Sequence, residues 1–484
     1  MLAAGFGLHA AFLFFSVSFR RLGYPFELEW MEGGMLAHVQ RLLEGKALYP
    51  EPSPEFVPFI YGPLYSYAGA LAACVTGPNL FSLRLVSFLS TLVLLAFLYR
   101  IVAYETGSRL FGLVAPCLFV ATFDKSGGWF DLARVDSFAL AWLAGAVDVT
   151  RRARLDRHFV AAGALLAGAA LAKQTCVVLF PTLAWWAFAS GRWRALAAFA
   201  GTSVALGFAW SLYELVRSDG WFLYYAVELP LLHGTKNREH LVTEFWRSEI
   251  AGVLPVATGV ALLSSALLPR LPRPGAFAFH GAVSASLLLG SYASRLHMGS
   301  YLNDLMPAYA ALSVVTALGL FALGAGCEAR SRSTWQAAVA LSLLAQLALL
   351  TYDRREHLPK TGSRRAGFEL VERLRREPRD VLVVDHPQLA VLAGKSSYAH
   401  QMANVDIFAA SGDPRGVREG LRERWRALFA AHHFSKVVID NDFYVFRPEL
   451  EAHYRRVEDL PIRPGVLLAV TGAEIGPRQV YVPR

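Results

Sequence analysis

Apolar and polar residues divide this chain into two unequal parts. Residues 1–352 consist of apolar runs separated by short polar breaks, whereas residues 353–484 open on a charged stretch and carry far fewer apolar runs. Apolar runs near the ~20 residues that a bilayer needs predict membrane-spanning helices. We therefore place a boundary at residue 353, between a transmembrane domain, 1–352, and a C-terminal domain, 353–484.

The apolar runs of the first part predict roughly eleven transmembrane helices. The first run, 1–19, lacks a basic leader, and we expect it to be retained as a span rather than removed as a signal peptide. The run at 61–76 is short and begins with Tyr-Gly-Pro, which is typical of a helix at the membrane surface. The remaining predicted spans are 81–103, 108–123, 136–150, 158–170, 174–190, 195–215, 247–268, 276–293, 301–323 and 334–351.

The C-terminal domain has the pattern of a soluble α/β fold. Two short aliphatic runs, 381–384 and 436–439, are typical of buried strands, and residues 415–433 favour a helix. The predicted fold class is therefore an α-helical polytopic membrane protein with a C-terminal soluble α/β domain.

Composition agrees with this prediction and excludes other classes. The 484 residues are 55% hydrophobic and only 18% charged, whereas a soluble domain is about 25% charged. The net charge of +9 is not accompanied by a basic helix interleaved with aromatic residues, so we expect no nucleic-acid partner. The four cysteines are far apart and form no CxxC pair, which argues against a disulfide framework and a structural zinc site.

Short, arginine-rich connections set the predicted orientation. The positive-inside rule assigns such loops to the cytoplasm, which makes the N-terminus cytoplasmic and the C-terminal domain extracytoplasmic. Arg20 and Arg21 oppose this assignment. The long loops 20–80 and 216–246 then face outward with most candidate chemistry, although loops are commonly polar wherever they lie. The arginine-rich connections are 100–109, 151–157, 192–194, 270–273 and 330–332.

The first outer loop holds three carboxylates directly after a predicted span. Glu27, Glu29 and Glu32 lie within six residues. Carboxylates that stay together at a membrane surface can act as a base or hold a cation. An apolar stripe over 35–43 predicts an amphipathic helix in the membrane interface, at headgroup depth. The alternative is a solvated loop beside an incidental helix.

Two cations lie at the ends of other predicted spans. Arg134 can bind a phosphate or a carboxylate with two hydrogen bonds, or it can pair with Asp136 and fix a helix end. Lys173 interrupts an apolar hairpin. A cation in that position either faces an anion or cavity, or extends to the membrane surface.

Two further outer segments carry weaker signals. Residues 233–240 favour a cationic lid over an anionic substrate, and their histidines lack the spacing of a helical metal pair, so we predict no metal site. Arg295 and His297 could hold a phosphate, while Tyr301 and Asn303 could close the pocket.

Several short segments carry a family resemblance through their order and their shared predicted side of the membrane. They are Glu29-Trp30-Met31-Glu32-Gly33 with 42–49, Tyr61-Gly62-Pro63-Leu64-Tyr65, Arg84-Leu85-Val86-Ser87, Ala133-Arg134-Val135-Asp136, Ala172-Lys173-Gln174-Thr175, and Gly299-Ser300-Tyr301-Leu302-Asn303 with Pro307. Together they resemble the polytopic C-type glycosyltransferases that use polyprenyl-phosphate sugars, in particular the bacterial mannosyltransferase and aminoarabinose-transferase group.

The resemblance implies an inverting sugar transfer in which a carboxylate of the first outer loop deprotonates the acceptor hydroxyl. Many members have Asp-Glu or Asp-x-x-Glu there, whereas this chain has Glu29-x-x-Glu32. We favour Glu29 as the base and Glu32 as its support or as a phosphate or metal partner. Expected ligands of the donor phosphate are Arg134, Lys173, Arg295 and His297. Expected residues of the substrate pocket are Tyr61, Tyr65, Asp136, Gln174, Tyr301 and Asn303.

The resemblance also implies a location and partners. It indicates a multi-pass protein of the bacterial inner membrane that takes a polyprenyl-phosphate sugar from the lipid bilayer and a glycan, lipid or protein acceptor. It implies no certain cofactor and leaves a divalent metal open. A transporter or flippase would instead have polar residues near mid-membrane and related repeats, and the sequence displays neither. A non-catalytic scaffold for the C-terminal domain would tolerate loss of the outer-loop acids.

Overall fold

The computed structural model of this chain is mostly helical and describes residues 2–267, 271–325, 332–463 and 465–484. The helices up to residue 352 are α1 (Leu2–Leu22), α2 (Glu32–Leu43), α3 (Leu64–Thr76), α4 (Leu80–Thr106), α5 (Arg109–Gly112), α6 (Val114–Ala121), α7 (Asp136–Arg152), α8 (Asp156–Ala172), α9 (Phe180–Arg217), α10 (Trp221–Leu223), α11 (Leu229–Leu231), α12 (Arg238–Thr243), α13 (Pro255–Leu267), α14 (Ala276–Leu296), α15 (Met306–Ala325) and α16 (Arg332–Leu349). Short 3₁₀ segments are Asp124–Ser126, Gln174–Leu179, Leu302–Leu305 and Arg354–His357, and π-helical segments are Tyr224–Glu228 and Glu244–Gly252.

Helices occur at every predicted span, but few have the length and hydropathy of a full membrane crossing. In the described ranges, four helical segments qualify, or five if the bent pair Arg238–Gly252 and Pro255–Ala266 is one span. Helices α7 and α8 have 17 residues each, fewer than the ~20 that a bilayer needs. The predicted count of about eleven is therefore not confirmed, and the last residue of the predicted span 247–268 lies outside the described residues.

Helix α9 reverses direction at Arg192, whose backbone is non-helical with φ 55° and ψ −146°. The rings of Phe180 and Phe199 lie 5.7 Å apart, whereas a straight helix would separate these residues by about 28 Å. Residues 180–217 therefore form a helical hairpin, in agreement with two predicted segments at 174–190 and 195–215.

The arginine-rich connections meet at one end of the helix bundle. Arg152 donates a hydrogen bond to the carbonyl of Arg100 at 2.7 Å, and Arg151 donates to the carbonyl of Pro274 at 3.0 Å. This end is opposite the one at which α7 begins, with Asp136. Two arginines of these connections lie outside the described residues, Arg270 and Arg330.

The C-terminal region forms a four-stranded mixed sheet with helices packed around it. The strand order is β1-β2-β4-β3, with β1 and β2 parallel and the other neighbours antiparallel. The predicted strands at 381–384 and 436–439 and the helix at 415–433 are confirmed. The elements are α17 (Ser363–Arg375), β1 (Val381–Val383), α18 (Pro387–Leu392), α19 (Gln401–Ala409), α20 (Val417–Ala430), β2 (Lys436–Ile439), α21 (Arg447–His453), β3 (Tyr454–Asp459) and β4 (Gln479–Pro483).

This C-terminal region packs directly on the first loop of the helical part. The backbone N–H groups of Val470 and Thr471 both donate to the carbonyl of Leu28, at 2.8 and 3.3 Å, and the N–H of Ala399 donates to the carbonyl of Pro54 at 2.8 Å. A single cluster of buried apolar residues extends across position 353. The change in secondary structure at that position is thus not a break in the core.

Helix α2 is buried within the protein, whereas its amphipathic pattern predicts a helix at the membrane interface. Its apolar stripe packs against α3 and α18, and Met35 and Val39 are almost fully buried. Two glycines permit this close packing. A Cβ at Gly33 would lie 1.9 Å from Oε1 of Glu27, and a Cβ at Gly34 would lie 2.3 Å from the ring of Phe59.

Candidate functional site

Glu29 and Arg134 form the centre of the candidate site, at the end of the bundle where the C-terminal region packs. Arg134 Nη1 donates to Oε2 of Glu29 at 2.8 Å, and its Nη2 donates to the hydroxyl oxygen of Tyr61 at 2.6 Å. The guanidinium also lies 5.3 Å from the centre of the Trp129 ring. In the part of the chain that the structure describes, Oε1 of Glu29 has no hydrogen-bond partner. This oxygen is therefore free to accept a proton.

The environment of Glu29 keeps its carboxylate near its ionisation point at neutral pH. The side chain is 1% exposed, and burial raises the pKa of Glu29 to about 7, although the guanidinium of Arg134 acts in the opposite direction. A pKa near the working pH is a property of general bases. The chain at Gly472 covers the free oxygen, because a Cβ there would lie 3.1 Å from Oε1.

Both carboxylate oxygens of Glu32 accept hydrogen bonds, and these bonds hold the backbone next to Glu29 and Arg134. Glu32 accepts hydrogen bonds from the backbone N–H groups of Leu28 at 2.7 Å and Ala133 at 2.8 Å. Arg84 Nε also donates to its Oε1 at 2.8 Å. Burial acts to raise the pKa of Glu32, but Arg84 and these N–H groups hold it below its usual value. Since Leu28 and Ala133 adjoin Glu29 and Arg134, this geometry favours the supporting role for Glu32.

We expect Glu32→Gln to lower the free energy of unfolding by about 3 kcal/mol, because it leaves the guanidinium of Arg84 buried without a countercharge. Thermal and denaturant unfolding of the detergent-solubilised protein measure this change. Glu44→Gln is the matched control, since Glu44 is exposed and forms a surface ion pair with Lys46. Equal stability of the two variants would contradict the supporting role.

A second polar cluster lies beside the first and shares Trp129 with it. Lys173 Nζ donates to Oδ1 of Asp136 at 2.7 Å and to Oδ1 of Asp304 at 2.9 Å. Asn303 Nδ2 and Trp129 Nε1 donate to the two oxygens of Asp136 at 2.8 and 2.9 Å. An ammonium has three donors, and among the described residues only Asp136 and Asp304 accept from Lys173, which leaves one donor for a ligand.

A narrow pocket, lined mainly by apolar residues and with about 30 Å³ of free interior space, begins at this cluster. Its head is formed by Lys173, Asp136 and Asp304, and its walls come from α7, α14 and α15. A second cavity continues toward the arginine-rich end of the bundle as far as His280. The two cavities share Leu140, Leu143 and Leu287. The two pockets therefore lie side by side, and together they mark an apolar path with a charged head.

Gln174 and Tyr301 border the two clusters. Gln174 Nε2 donates to the carbonyl of Ile60 at 2.9 Å, which fixes the segment that carries Tyr61. The ring of Tyr301 packs 5.1 Å from that of Trp129. Both residues are among those predicted for the substrate pocket, and they lie beside the two polar clusters.

Tyr65, expected in the same pocket as Tyr61, lies behind Arg134, because Ser87, which its hydroxyl contacts, donates to the carbonyl of Arg134 at 3.0 Å. Its side chain is fully buried, and its hydroxyl donates to the carbonyl of Leu83 at 3.0 Å and contacts Ser87 Oγ at 2.9 Å. Since Tyr65 stands in the first turn of α3 and Tyr61 precedes that helix, the two rings face different surroundings. Tyr65 holds α3 against α4.

Arg295 and His297, the expected phosphate ligands, are engaged by protein partners at the rim. Arg295 Nε donates to Oε2 of Glu249 at 3.1 Å, and the rings of His297 and His233 contact each other at 3.2 Å. Lys236 donates to Ser300 Oγ at 2.7 Å. Among the described residues, Lys236 has no carboxylate within ion-pair distance, so it is the freer cation of this rim.

Three contributors were missed by sequence reasoning: Trp129, Asp304 and Asp406. Trp129 joins the two clusters, and Asp304 is the second acid on Lys173. Asp406 comes from α19 in the C-terminal region and acts electrostatically on Arg134 and Tyr61. Its signal in the sequence is an acid inside the apolar stretch 403–408, because acids are rarely buried without a purpose.

The residues of the site do not fit a divalent metal. Within the described ranges, no group of three or more His, Cys, Asp or Glu side chains could hold a metal ion. Asp136 and Asp304 both bind the ammonium of Lys173, which takes the place of a cation between them.

Part of this chain matches the model of a known protein family. The family described as dolichyl-phosphate-mannose-protein mannosyltransferase matches residues 58–215, a range that includes Tyr61, Arg134 and Lys173. No curated protein matches the chain significantly.

Several solved structures share the fold across almost the whole chain. ArnT from Cupriavidus metallidurans bound to undecaprenyl phosphate has a TM-score of 0.58 at 13% identity, covering 99% of this chain and 97% of that chain. Its apo state has a TM-score of 0.60 at 12% identity, covering 99% and 98%. The archaeal oligosaccharyltransferase AglB from Archaeoglobus fulgidus, in complex with an inhibitory peptide and a dolichol-phosphate, has a TM-score of 0.53 at 10% identity, covering 90% and 69%. The predicted resemblance to polytopic C-type glycosyltransferases is confirmed.

Proposed function

We propose that this protein is a membrane glycosyltransferase that moves a sugar from a polyprenyl-phosphate donor to an acceptor hydroxyl, with inversion. The observation that carries the proposal is the buried Glu29 carboxylate, one oxygen of which has no hydrogen-bond partner among the described residues, near a pocket with Lys173 at its head and apolar walls. The fold likeness to ArnT, which binds undecaprenyl phosphate, supports a lipid-linked donor. We further propose that this end of the bundle, with the C-terminal domain, is extracytoplasmic in a bacterial inner membrane.

The two ends of the cavity match the two chemical parts of such a donor. The free donor of Lys173 can hydrogen-bond a phosphate oxygen, and charge-assisted bonds of this kind are the stronger class. The apolar path shared by Leu140, Leu143 and Leu287 suits a prenyl chain, since each buried CH₂ stabilises binding by about 0.8 kcal/mol. The donor would then lie with its phosphate at the site and its chain along α7, α14 and α15.

In the transfer step, Oε1 of Glu29 accepts the proton of the acceptor hydroxyl. The acceptor oxygen bonds to the anomeric carbon from the face opposite the phosphate, and the bond between that carbon and the phosphate oxygen breaks. The electron pair of the broken bond leaves with polyprenyl phosphate, whose developing charge is stabilised by Lys173. Arg134 orients Glu29 through its hydrogen bond to Oε2.

The backbone at 470–472 covers Oε1 of Glu29, so entry of the acceptor requires this segment to move. Thr471 holds the segment in place, because its hydroxyl donates to the carbonyl of Gly127 at 2.5 Å. Loops that open and close over a site commonly limit turnover. The acceptor would therefore approach from the side of the C-terminal domain.

A reconstituted transfer assay tests this function. The purified protein in liposomes receives a panel of undecaprenyl-phosphate sugars and a membrane extract as the source of acceptors, and mass spectrometry follows the release of undecaprenyl phosphate. We expect release from at least one panel member that depends on both the protein and the extract. Release that is equal with heat-inactivated protein for every panel member would contradict the proposal.

The rate of transfer should rise with pH through about 7. Glu29 must be ionised to accept a proton, and burial raises its pKa to about 7, so the active fraction is lost as pH falls through that value. A profile of kcat/KM from about pH 5 to about pH 9 measures the midpoint. A rate that falls with rising pH across neutrality would show that Glu29 acts in its protonated form.

A further inference from the structure

Helix α19 of the C-terminal domain carries a buried carboxylate with no hydrogen-bond partner of its own. Asp406 is 5% exposed. Its backbone carbonyl accepts a hydrogen bond from Nε2 of His233 at 2.8 Å. Over the residues that the structure describes, the carboxylate oxygens make no hydrogen bond and no ion pair within 4.0 Å. Glu32, by contrast, is enclosed by Arg84 and backbone N–H groups.

Asp406 faces the candidate site. Its charge is close enough to Arg134 and Tyr61 for electrostatic interaction with both. Met402 lies one turn earlier on the same face of α19, and its Cε is 3.9 Å from the Cβ position of Gly299. This face of α19 therefore lies over Gly299, and the Asp406 carboxyl on it interacts electrostatically with Arg134.

The position of Asp406 costs stability, because an acid without a partner is expensive to bury. Burial raises the pKa of Asp406 to about 8, with only partial compensation from Arg134. Ionisable groups in a cleft whose pKa is strongly shifted by burial are candidates for a functional role. Leu at this position would avoid the cost, so packing alone does not account for an acid there.

We propose that Asp406 is a substrate-recognition residue whose carboxylate accepts hydrogen bonds from sugar hydroxyl groups, an inference that rests on the proposed function. With its pKa raised to about 8, Asp406 is mostly protonated at neutral pH in the free protein. Sugar hydroxyls that donate to its two oxygens favour the ionised form, so the group binds the sugar as a carboxylate. In this arrangement Glu29 lies on one side of Arg134 for the proton transfer, and Asp406 reaches toward the same cation from the C-terminal domain. The C-terminal domain thereby contributes to the site rather than only covering it.

Asp406→Asn tests this inference with two probes, undecaprenyl phosphate and the undecaprenyl-phosphate sugar that the wild-type protein binds most tightly. We expect the variant to bind undecaprenyl phosphate like wild type and the sugar-linked lipid about tenfold more weakly. If donor binding is unchanged and the KM of the acceptor rises about tenfold instead, the hydroxyls belong to the acceptor sugar and the recognition role stands. If neither changes, the inference is overturned. Failure of the wild-type protein to bind either probe would reject the proposed function itself.

Thermal unfolding separates recognition from a structural role. A raised pKa means that the ionised form is disfavoured in the folded protein, so stability is lost as pH rises above the unfolded value, and Asn removes this loss. We therefore expect the Tm of Asp406→Asn to equal or exceed that of wild type at neutral pH. A lower Tm together with weaker binding of undecaprenyl phosphate would overturn the inference. Glu423→Gln, an exposed acid in the same domain, is the control and should change neither binding nor Tm.

Discussion

Glu29→Gln should reduce the turnover of sugar transfer by about 10² to 10⁴, the contribution that a positioned general base makes. Glutamine keeps the shape of the side chain and the hydrogen bond from Arg134, but its amide cannot take the proton of the acceptor hydroxyl. The change therefore acts on kcat, while the affinity for the lipid donor stays near that of wild type. Single-turnover kinetics with a labelled undecaprenyl-phosphate sugar separate the rate of transfer from the affinity for the donor.

The matched control for this variant is Glu55→Gln, an exposed acid of the same outer loop. It should retain wild-type turnover, because it lies outside both polar clusters. The Tm of Glu29→Gln is measured beside its turnover, because the variant leaves the buried guanidinium of Arg134 without its countercharge. Turnover is compared per mole of folded protein. Full activity of Glu29→Gln would assign the base to another residue.

Lys173→Met should lower turnover by about 10² to 10³ and weaken donor binding, because it removes the cation that stabilises the leaving phosphate. The substitution also leaves Asp136 and Asp304 without the ammonium that both of them bind. Part of the loss of turnover then comes from altered folding, so Lys173→Met is compared with a second variant. Donor affinity and turnover are measured with the same labelled lipid.

The double variant Lys173→Met with Asp304→Asn separates these two effects. Removing one acid together with the cation lessens the unbalanced negative charge around Asp136, so we expect its Tm to exceed that of Lys173→Met. Transfer activity should stay low, because the phosphate still lacks its donor. Recovery of transfer in the double variant would mean that Lys173 only balances the two acids.

Local sequence patterns were sufficient for the features that depend on neighbouring residues. Acids, cations and aromatic residues at the ends of apolar runs pointed to Glu29, Arg134 and Lys173, since a charge beside a membrane span is costly without a purpose. The strands of the C-terminal domain also followed from short aliphatic runs. In both cases the signal lies within a few residues of the position concerned.

Pairings between distant segments could not be predicted in this way. The partner of Arg295 is Glu249 on a preceding helix, and Asp406 reaches Arg134 from another region of the chain. Tyr61 and Tyr65 belong to one short motif, yet the start of α3 between them turns only one toward the site. Helix α2 looked like a surface helix because its covering elements come from elsewhere in the sequence.

The position of a bound lipid tests the central claim most directly. A cryo-electron microscopy structure of the protein in nanodiscs with undecaprenyl phosphate should have the phosphate within hydrogen-bond distance of Lys173 Nζ. The prenyl chain should follow the apolar path past Leu140 and Leu287. A phosphate bound at the arginine-rich end of the bundle, or a prenyl chain confined to the outer surface of the helices, would contradict the account.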